Sequence, residues 1–195
     1  MTGNSRNNLF NRLLAHVALS TDLSIAQSHG NKTQSLCLYI CELVECRKKR
    51  FFMTRGGFVH PLLHSSGTTV SDSQIQSEPK KWARFTADAF QVTVLLKGNI
   101  SYVASKDREI ELPSGSPWLA TAGTGDVLAG NIGALVATHS REIAQLPDFL
   151  SGIAATGSFI HAKAAQIASD GGPITAMGVA HAIPKVMSDL LHKGM

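Results

Sequence analysis

A carboxylate that follows a loop of small residues is the feature of this sequence best suited to chemistry. Gly123, Thr124 and Gly125 stand directly before Asp126. A glycine backbone can turn tightly and approach a ligand closely because it lacks a Cβ. Beyond the loop, apolar residues recur at helical spacing: Val127, Leu128, Ile132, Leu135 and Val136. The loop is therefore predicted to lie at a helix N-terminus, where unpaired N–H groups and the helix dipole favour a phosphate.

Asp126 itself has two interpretations on chemical grounds. Asp126 lies between a small-residue loop and an apolar helix, which predicts a buried side chain. Phosphates bound at the loop would repel its carboxylate. It can cap the helix, as aspartate does well. It can also be a general base that removes a proton from a hydroxyl about to attack a phosphoryl group held by the loop. The Walker pattern G-x-x-x-x-G-K-[ST] is absent from the sequence, so the loop is not the usual P-loop.

A second candidate feature is the lysine that closes an apolar run. The run from Val92 to Leu96 predicts a strand buried on both faces, as in a parallel sheet, and Lys97-Gly98 ends it. Ligands of open α/β sheets bind beyond the carboxyl ends of the strands. A lysine there can reach an anionic ligand and a glycine lets the backbone come near it, although the same pair also suits a plain turn.

The remaining elements follow from hydrophobic periodicity and turn residues. Strands are predicted at Phe51 to Thr54 and as a hairpin at Ile100 to Ala104 and Glu109 to Leu112, and Leu36 to Val44 fits a strand or a short helix. Helices are predicted over residues 4 to 19, from Pro79 to about residue 90, to about Thr138 after the central loop, from roughly Phe149 to Ser169, and from Thr175 to about His192, with Pro184 as a kink or break. Residues 65 to 80 are predicted to be mostly loop, and His161 to be structural.

The central motif resembles a known family. Gly123-Thr124-Gly125-Asp126 opening a helix is similar to the anion hole and catalytic base of ribokinase-like enzymes. The string from Leu119 to Gly130, with Val94-Leu95-Leu96-Lys97-Gly98 upstream, most resembles the ADP-dependent NAD(P)H-hydrate dehydratases. The resemblance covers about residues 88 to 195, and residues 51 to 87 loosely. It implies an α/β, three-layer ribokinase-like (Rossmann-like) fold over residues 51–195, shortened or divergent at the N-terminus, with residues 1–50 as a divergent segment.

The resemblance also implies roles for individual residues. Asp126 would contact the substrate and accept its hydroxyl proton, and the N–H groups of Gly123, Thr124 and Gly125 would stabilise the transferring phosphoryl group. The adenine nucleotide would be contacted by Gly125 and by the segment Lys97, Gly98, Asn99, Ile100 and Ser101. In the family a Thr-Pro-His-x-x-Glu stretch faces the substrate. This chain has His60 and His64 there without the glutamate, so neither histidine is assigned that role.

The function implied is the dehydration of NADHX or NADPHX, the hydrates of NADH and NADPH, at the expense of ADP or ATP. The nucleotide would phosphorylate the hydroxyl of the hydrated ring, and loss of phosphate would regenerate the reduced cofactor. Magnesium would bridge the nucleotide phosphates. Two alternatives stay open: a small-molecule kinase of the same superfamily, and a nucleotide-binding remnant without catalytic activity.

Composition limits the remaining classes of protein. The chain has 195 residues with 44% hydrophobic and 16% charged content, which is typical of one globular domain. Its net charge of +4 fits a phosphate-rich ligand as well as a nucleic acid, and the basic cluster at residues 47 to 50 is interpreted as a solvated segment rather than a nucleic-acid site. There is no 18-residue apolar run, so we expect a cytoplasmic protein without a membrane partner. Cys37, Cys41 and Cys46 are expected to be free thiols, and a homo-oligomer is left open.

Overall fold

The computed structural model describes residues 51–55, 59, 63, 67–146 and 148–193. Within these residues, a four-stranded sheet carries helices on both of its faces. Several sequence predictions lie outside the described residues: the helix over residues 4 to 19, the run from Leu36 to Val44, the three cysteines, the basic cluster, His60 and His64.

The sheet combines one parallel pair of strands with an antiparallel hairpin. Its strands are β1 (Phe51–Arg55), β2 (Thr93–Lys97), β3 (Ser101–Ala104) and β4 (Glu109–Leu112), in the order β1-β2-β3-β4. Strands β1 and β2 are parallel, whereas β2 to β3 and β3 to β4 are antiparallel. The amide of Ser105 donates to the Arg108 carbonyl oxygen at 2.8 Å and closes the β3–β4 turn. The four strands predicted within the described residues are confirmed to within one residue at each end, with β2 shifted so that Lys97 is its last member.

The helices agree with the sequence predictions at their centres and differ at three points. They are α1 (Asp72–Ser77), α2 (Pro79–Phe90), α3 (Thr124–Thr138), α4 (Ser140–Gln145), α5 (Phe149–Ser169) and α6 (Ala176–Lys193), with a 3₁₀ helix at Pro117–Ala120. The prediction of a loop over residues 65 to 80 is wrong where α1 forms, because Ser71 and Gln74 make a capping box there. Helix α4 was not predicted. Helix α6 continues through Pro184, and Thr175 caps it as predicted, accepting from the Gly178 amide at 3.0 Å.

Both faces of β2 are buried because its side chains alternate between two hydrophobic cores. Leu95 packs into one core with residues of α3, α4 and α5, among them Leu128 and Ile143. Val94 and Leu96 pack into the other core, on the α2 side of the sheet. The three layers are therefore the helices α3 to α5, the sheet, and α2. None of the helices in the described residues combines the length and apolar character needed to cross a bilayer.

Helices α3 and α5 run antiparallel and come into close contact near Gly157. The Asn131 amide donates to the Gly157 carbonyl oxygen at 2.9 Å, and His161, one turn further along α5, reaches the Thr124 carbonyl oxygen at 2.8 Å. A Cβ at position 157 would lie 2.5 Å from Ile132 Cγ1, a distance that Cβ atoms do not tolerate. The absence of a side chain at Gly157 therefore sets how closely α5 approaches α3.

We expect Gly157→Ala to destabilise the protein. Its added methyl group overpacks the core against the fully buried Ile132, and overpacking of this kind costs about 1–3 kcal/mol of the free energy of unfolding. Gly152→Ala, on the same helix, is the matched control, because a Cβ there meets nothing within 4 Å and alanine favours a helix by roughly 0.5–1 kcal/mol. Urea denaturation measures both. Equal stability of the two variants would contradict this packing role.

Candidate functional site

The carboxyl end of β2 forms a tight polar turn. Lys97 ends the strand, and a Cβ at Gly98 would lie 2.8 Å from the Ile100 carbonyl oxygen, so the turn excludes larger residues in its present shape. The Gly98 amide donates to Ser101 Oγ at 3.4 Å, and Ser114 Oγ donates to Asn99 Oδ1 at 2.6 Å. These contacts tie the turn to the loop that leaves β4.

The loop before α3 is fixed by its own side chains and by α6. Gly123 has φ of 85°, in the left-handed region that favours glycine, and a Cβ there would lie 3.0 Å from Ala176 Cβ. Thr124 is fully buried, and its hydroxyl lies 2.8 Å from the Leu119 carbonyl oxygen and 2.9 Å from that of Thr121. The Thr124 hydroxyl therefore shapes the loop instead of facing a ligand.

The backbone amides of this loop are only partly engaged. The Thr124 amide donates to the Thr121 carbonyl oxygen at a long 3.4 Å, and the Asp126 amide donates to the Gly123 carbonyl oxygen at 3.1 Å. The amides of Gly123 and Gly125 find no acceptor among the residues that the structure describes. Two of the three amides predicted to form an anion hole thus have no acceptor in the described part of the chain, at the positive end of the α3 dipole.

Asp126 lies in the first turn of α3 and its side chain is exposed, so the prediction of a buried carboxylate is wrong. The physical reason is its position on the helix, which turns it toward solvent while Leu128 and Ile132 face the core. The capping interpretation is also wrong, because Gly123 occupies the N-cap and no side chain caps the helix there. The general-base role of this carboxylate stays a prediction.

A cavity of about 390 Å³ opens between the β2 turn, the loop after β4 and helix α5. Of the predicted nucleotide contacts, Lys97, Gly98, Asn99 and Ser101 line it, whereas Ile100 does not and has a side chain 39% exposed. The residues from Gly123 to Asp126 do not line the cavity. They adjoin it through Lys97, whose Nζ lies 4.0 Å from the point where a Cβ on Gly125 would stand.

His161 connects the cavity to the loop, a role that the sequence did not reveal. It lines the cavity, is 2% exposed, and its Nε2 lies 2.8 Å from the Thr124 carbonyl oxygen. Burial, with a further contribution from the positive charge of Lys97, lowers the pKa of His161 from 6.5 to about 4. The imidazole is therefore neutral near pH 7, and its Nε2–H donates to the Thr124 carbonyl oxygen. The sequence places these two residues 37 positions apart, so no local spacing could have indicated the contact.

Comparison with known proteins agrees with this geometry. The Carb_kinase family model, described as NAD(P)H-hydrate dehydratase, matches residues 62–185, which is more than half of the chain. The chain belongs to this family. The match includes the cavity, the loop before α3 and His161.

Individual relatives have names that agree with the description of the family model. The chain is 43% identical over 110 residues to the bifunctional NAD(P)H-hydrate repair enzyme Nnr of Mycobacterium leprae, covering 55% of this chain and 20% of that protein. It is 40% identical over 111 residues to the ADP-dependent (S)-NAD(P)H-hydrate dehydratase of Neisseria meningitidis, covering 56% of this chain and 34% of that protein. The chain therefore spans about a fifth and about a third of the lengths of these two family members.

Solved structures show the fold. The ADP/ATP-dependent NAD(P)H-hydrate dehydratase of Bacillus subtilis, co-crystallised with ATP and Mg²⁺, superimposes with a TM-score of 0.59 at 21% identity, over 71% of this chain and 47% of that one. A ribokinase-like superfamily protein of Enterococcus faecalis gives 0.55 at 16% identity, over 82% of this chain and 59% of that one. The predicted three-layer ribokinase-like fold of the family is confirmed.

The buried imidazole predicts a specific pH dependence of stability. Folding lowers the pKa of His161 below its ordinary value of 6.5, so its contribution is complete above pH 6.5 and is lost as the pH falls toward 4. Between pH 7 and pH 4.5, we expect the wild type to lose about 2 kcal/mol more of its free energy of unfolding than His161→Gln. Urea denaturation at the two pH values measures this loss. His181→Gln, at an exposed position of α6, is the control and should follow the wild type. Parallel pH curves for wild type and His161→Gln would contradict this role of burial.

Proposed function

We propose that this chain binds an adenine nucleotide in the cavity and transfers a phosphoryl group from it to the hydroxyl of NADHX or NADPHX. The observation that carries the proposal is the junction at Lys97. There, a cavity at the carboxyl end of a parallel strand meets a helix N-terminus with open amides. The volume of the cavity, about 390 Å³, lies in the range of small-molecule binding sites.

The cavity and its surroundings offer both charged and apolar groups, as a nucleotide requires. The end beside Lys97 offers an ammonium group and the amides of Gly123 and Gly125, which suits phosphates. The lining elsewhere includes apolar side chains such as Leu112 and Pro113, which suit a nucleoside. In this arrangement Asn99 and Ser101 contact the nucleotide from the β2 turn, and Ile100 does so through its backbone, since its side chain faces outward.

The proposed reaction uses the exposed carboxylate of Asp126. It accepts the proton of the substrate hydroxyl, whose oxygen attacks the terminal phosphoryl group, and the bond to the bridging oxygen breaks to release AMP from ADP or ADP from ATP. Loss of the new phosphate ester as inorganic phosphate, with a proton from the neighbouring ring carbon, restores the double bond of the reduced nicotinamide. Preorganised amides at Gly123 and Gly125 stabilise the charge on the transferring oxygens by several kcal/mol.

Magnesium fits this site as a companion of the nucleotide, held mainly by its phosphates. The described residues contain no group of three or more His, Cys, Asp or Glu side chains able to hold a metal. Mg²⁺ keeps several water ligands and is commonly held by one or two carboxylates and by substrate phosphates, whose charge it neutralises. The nearby carboxylate is Asp126, and the phosphates would supply the other ligands.

We expect Asp126→Asn to abolish turnover of NADPHX with ADP or ATP while leaving ADP affinity nearly unchanged. Loss of a general base lowers the rate by about 10²- to 10⁴-fold. Asp107→Asn, in the exposed β3–β4 turn, is the control and should retain full activity. The same assay with a panel of alcohols distinguishes a kinase from a dehydratase. Thermal stabilisation by ADP without any turnover in the wild type would favour the remnant and contradict catalysis.

We expect Lys97→Gln to weaken ADP binding by about 10- to 100-fold, because a charge-assisted hydrogen bond to phosphate is worth roughly 1.5–3 kcal/mol. The difference in ADP affinity between the wild type and Lys97→Gln should be smaller at high salt, because salt screens the attraction between Lys97 and the phosphates in the wild type. Isothermal titration calorimetry at two ionic strengths measures both effects. Lys106→Gln, in the exposed hairpin turn, is the matched control. Unchanged affinity in Lys97→Gln would show that the phosphates lie elsewhere.

A further inference from the structure

The buried hydrogen bond of His161 ends on the peptide group that also carries the Gly125 amide. His161 Nε2 lies 2.8 Å from the Thr124 carbonyl oxygen, and the next atom of the chain after this carbonyl is the Gly125 nitrogen. A peptide group is planar, and none in the described residues is cis, so the Gly125 N–H points in the direction opposite to the Thr124 carbonyl. A contact that fixes this carbonyl therefore fixes the amide as well.

The amide on the other side of this peptide group is a donor without an acceptor among the described residues. In the first turn of a helix the amides point out of the N-terminal end, which is the side from which an anion approaches. A hydrogen bond accepted by the carbonyl also polarises the peptide group and makes its N–H a stronger donor. The Thr124–Gly125 peptide thus accepts from the protein interior and donates out of the end of α3.

The other contacts of the loop act before this peptide group. The Thr124 hydroxyl is tied to the carbonyl oxygens of Leu119 and Thr121, and Gly123 packs on Ala176. Gly125 has no side chain to hold it, and the one atom within 4 Å of a Cβ built there is Lys97 Nζ, at 4.0 Å. Among the described residues, the side chain that hydrogen-bonds the Thr124–Gly125 peptide is therefore that of His161, which is buried on α5.

We propose that His161 is a positioning residue for phosphoryl transfer, which acts through the Thr124–Gly125 peptide to aim the Gly125 amide at the transferring group. This inference rests on the proposed function. His161 does not contact the reacting atoms. It holds a donor whose hydrogen bond becomes stronger as charge develops on the phosphoryl oxygens, so kcat should depend on His161 more than ADP affinity does.

The test compares variants that keep or remove the donor to the Thr124 carbonyl. His161→Leu removes it with a side chain of similar size, whereas His161→Gln keeps an N–H near the position of Nε2. We expect His161→Leu to lower kcat for NADPHX about ten- to hundredfold, part of the loss known for removal of an oxyanion donor. The affinity for ADP, from calorimetry, should fall by less than about fivefold, as for one weakened hydrogen bond. His161→Gln should recover most of kcat.

Two further variants guard against a purely structural effect. His161→Asn, whose shorter amide does not reach the carbonyl, should lose kcat as His161→Leu does, and it replaces that variant if leucine prevents folding. His181→Leu, at an exposed position of α6, is the control and should retain full activity. Urea denaturation shows which of these variants fold.

Nuclear magnetic resonance of the Gly125 amide gives a measurement that does not depend on turnover. We expect ADP to shift this amide proton downfield in the wild type and in His161→Gln, because it gains an acceptor, and to shift it less in His161→Leu. An unchanged kcat in His161→Leu, or equal losses in the leucine and glutamine variants, would overturn this inference and leave the proposed function intact. A wild type whose Gly125 amide does not respond to bound ADP would overturn the proposed phosphate position, and this inference with it.

Discussion

The loop that opens α3 is held in shape by the buried hydrogen bond from His161 to the Thr124 carbonyl oxygen. The bond joins α5, which packs on the sheet, to the first turn of α3. The same turn is fixed by the Thr124 hydroxyl from within the loop and by the packing of Gly123 on Ala176 of α6. Three contacts from different parts of the chain thus determine where the open amides point. Donors that are already oriented need no reorganisation when charge develops on a phosphoryl group.

The protonation state of His161 matters to the electrostatics of the cavity as well as to its shape. Among the described residues that line the cavity, Lys97 carries the only permanent positive charge. Burial would strip a charged imidazole of its hydration, and the neighbouring ammonium group would repel it, so the pKa of His161 is lowered to about 4. The histidine therefore acts as a neutral donor to the backbone. The positive charge beside the cavity is therefore that of Lys97.

Sequence reasoning located the parts of the site that depend on local pattern. The buried run before Lys97, the bounds of α5 and the helix after the glycine loop all followed from hydrophobic periodicity. Sequence reasoning failed where packing between distant parts of the chain determines the structure. Pro184 leaves α6 unbroken because it lies on the exposed face, where water can satisfy the freed carbonyl oxygen of the preceding turn. Asp126 looked buried because its neighbours are apolar, and the contact of His161 with Thr124 depends on packing between two helices.

Folding leaves a few polar groups without a partner among the described residues. Two buried side-chain atoms lack a partner among the described residues, Trp82 Nε1 on the α2 side of the sheet and Ser158 Oγ at the cavity. The amides of Gly123 and Gly125, which also lack an acceptor among the described residues, adjoin the cavity through Lys97 and do not line it. The two cores around β2 stabilise the sheet and offset this cost, and one of them shares Leu128 with the lining of the cavity. Under the proposed function, the phosphates of an adenine nucleotide beside Lys97 would give the two amides their missing acceptors.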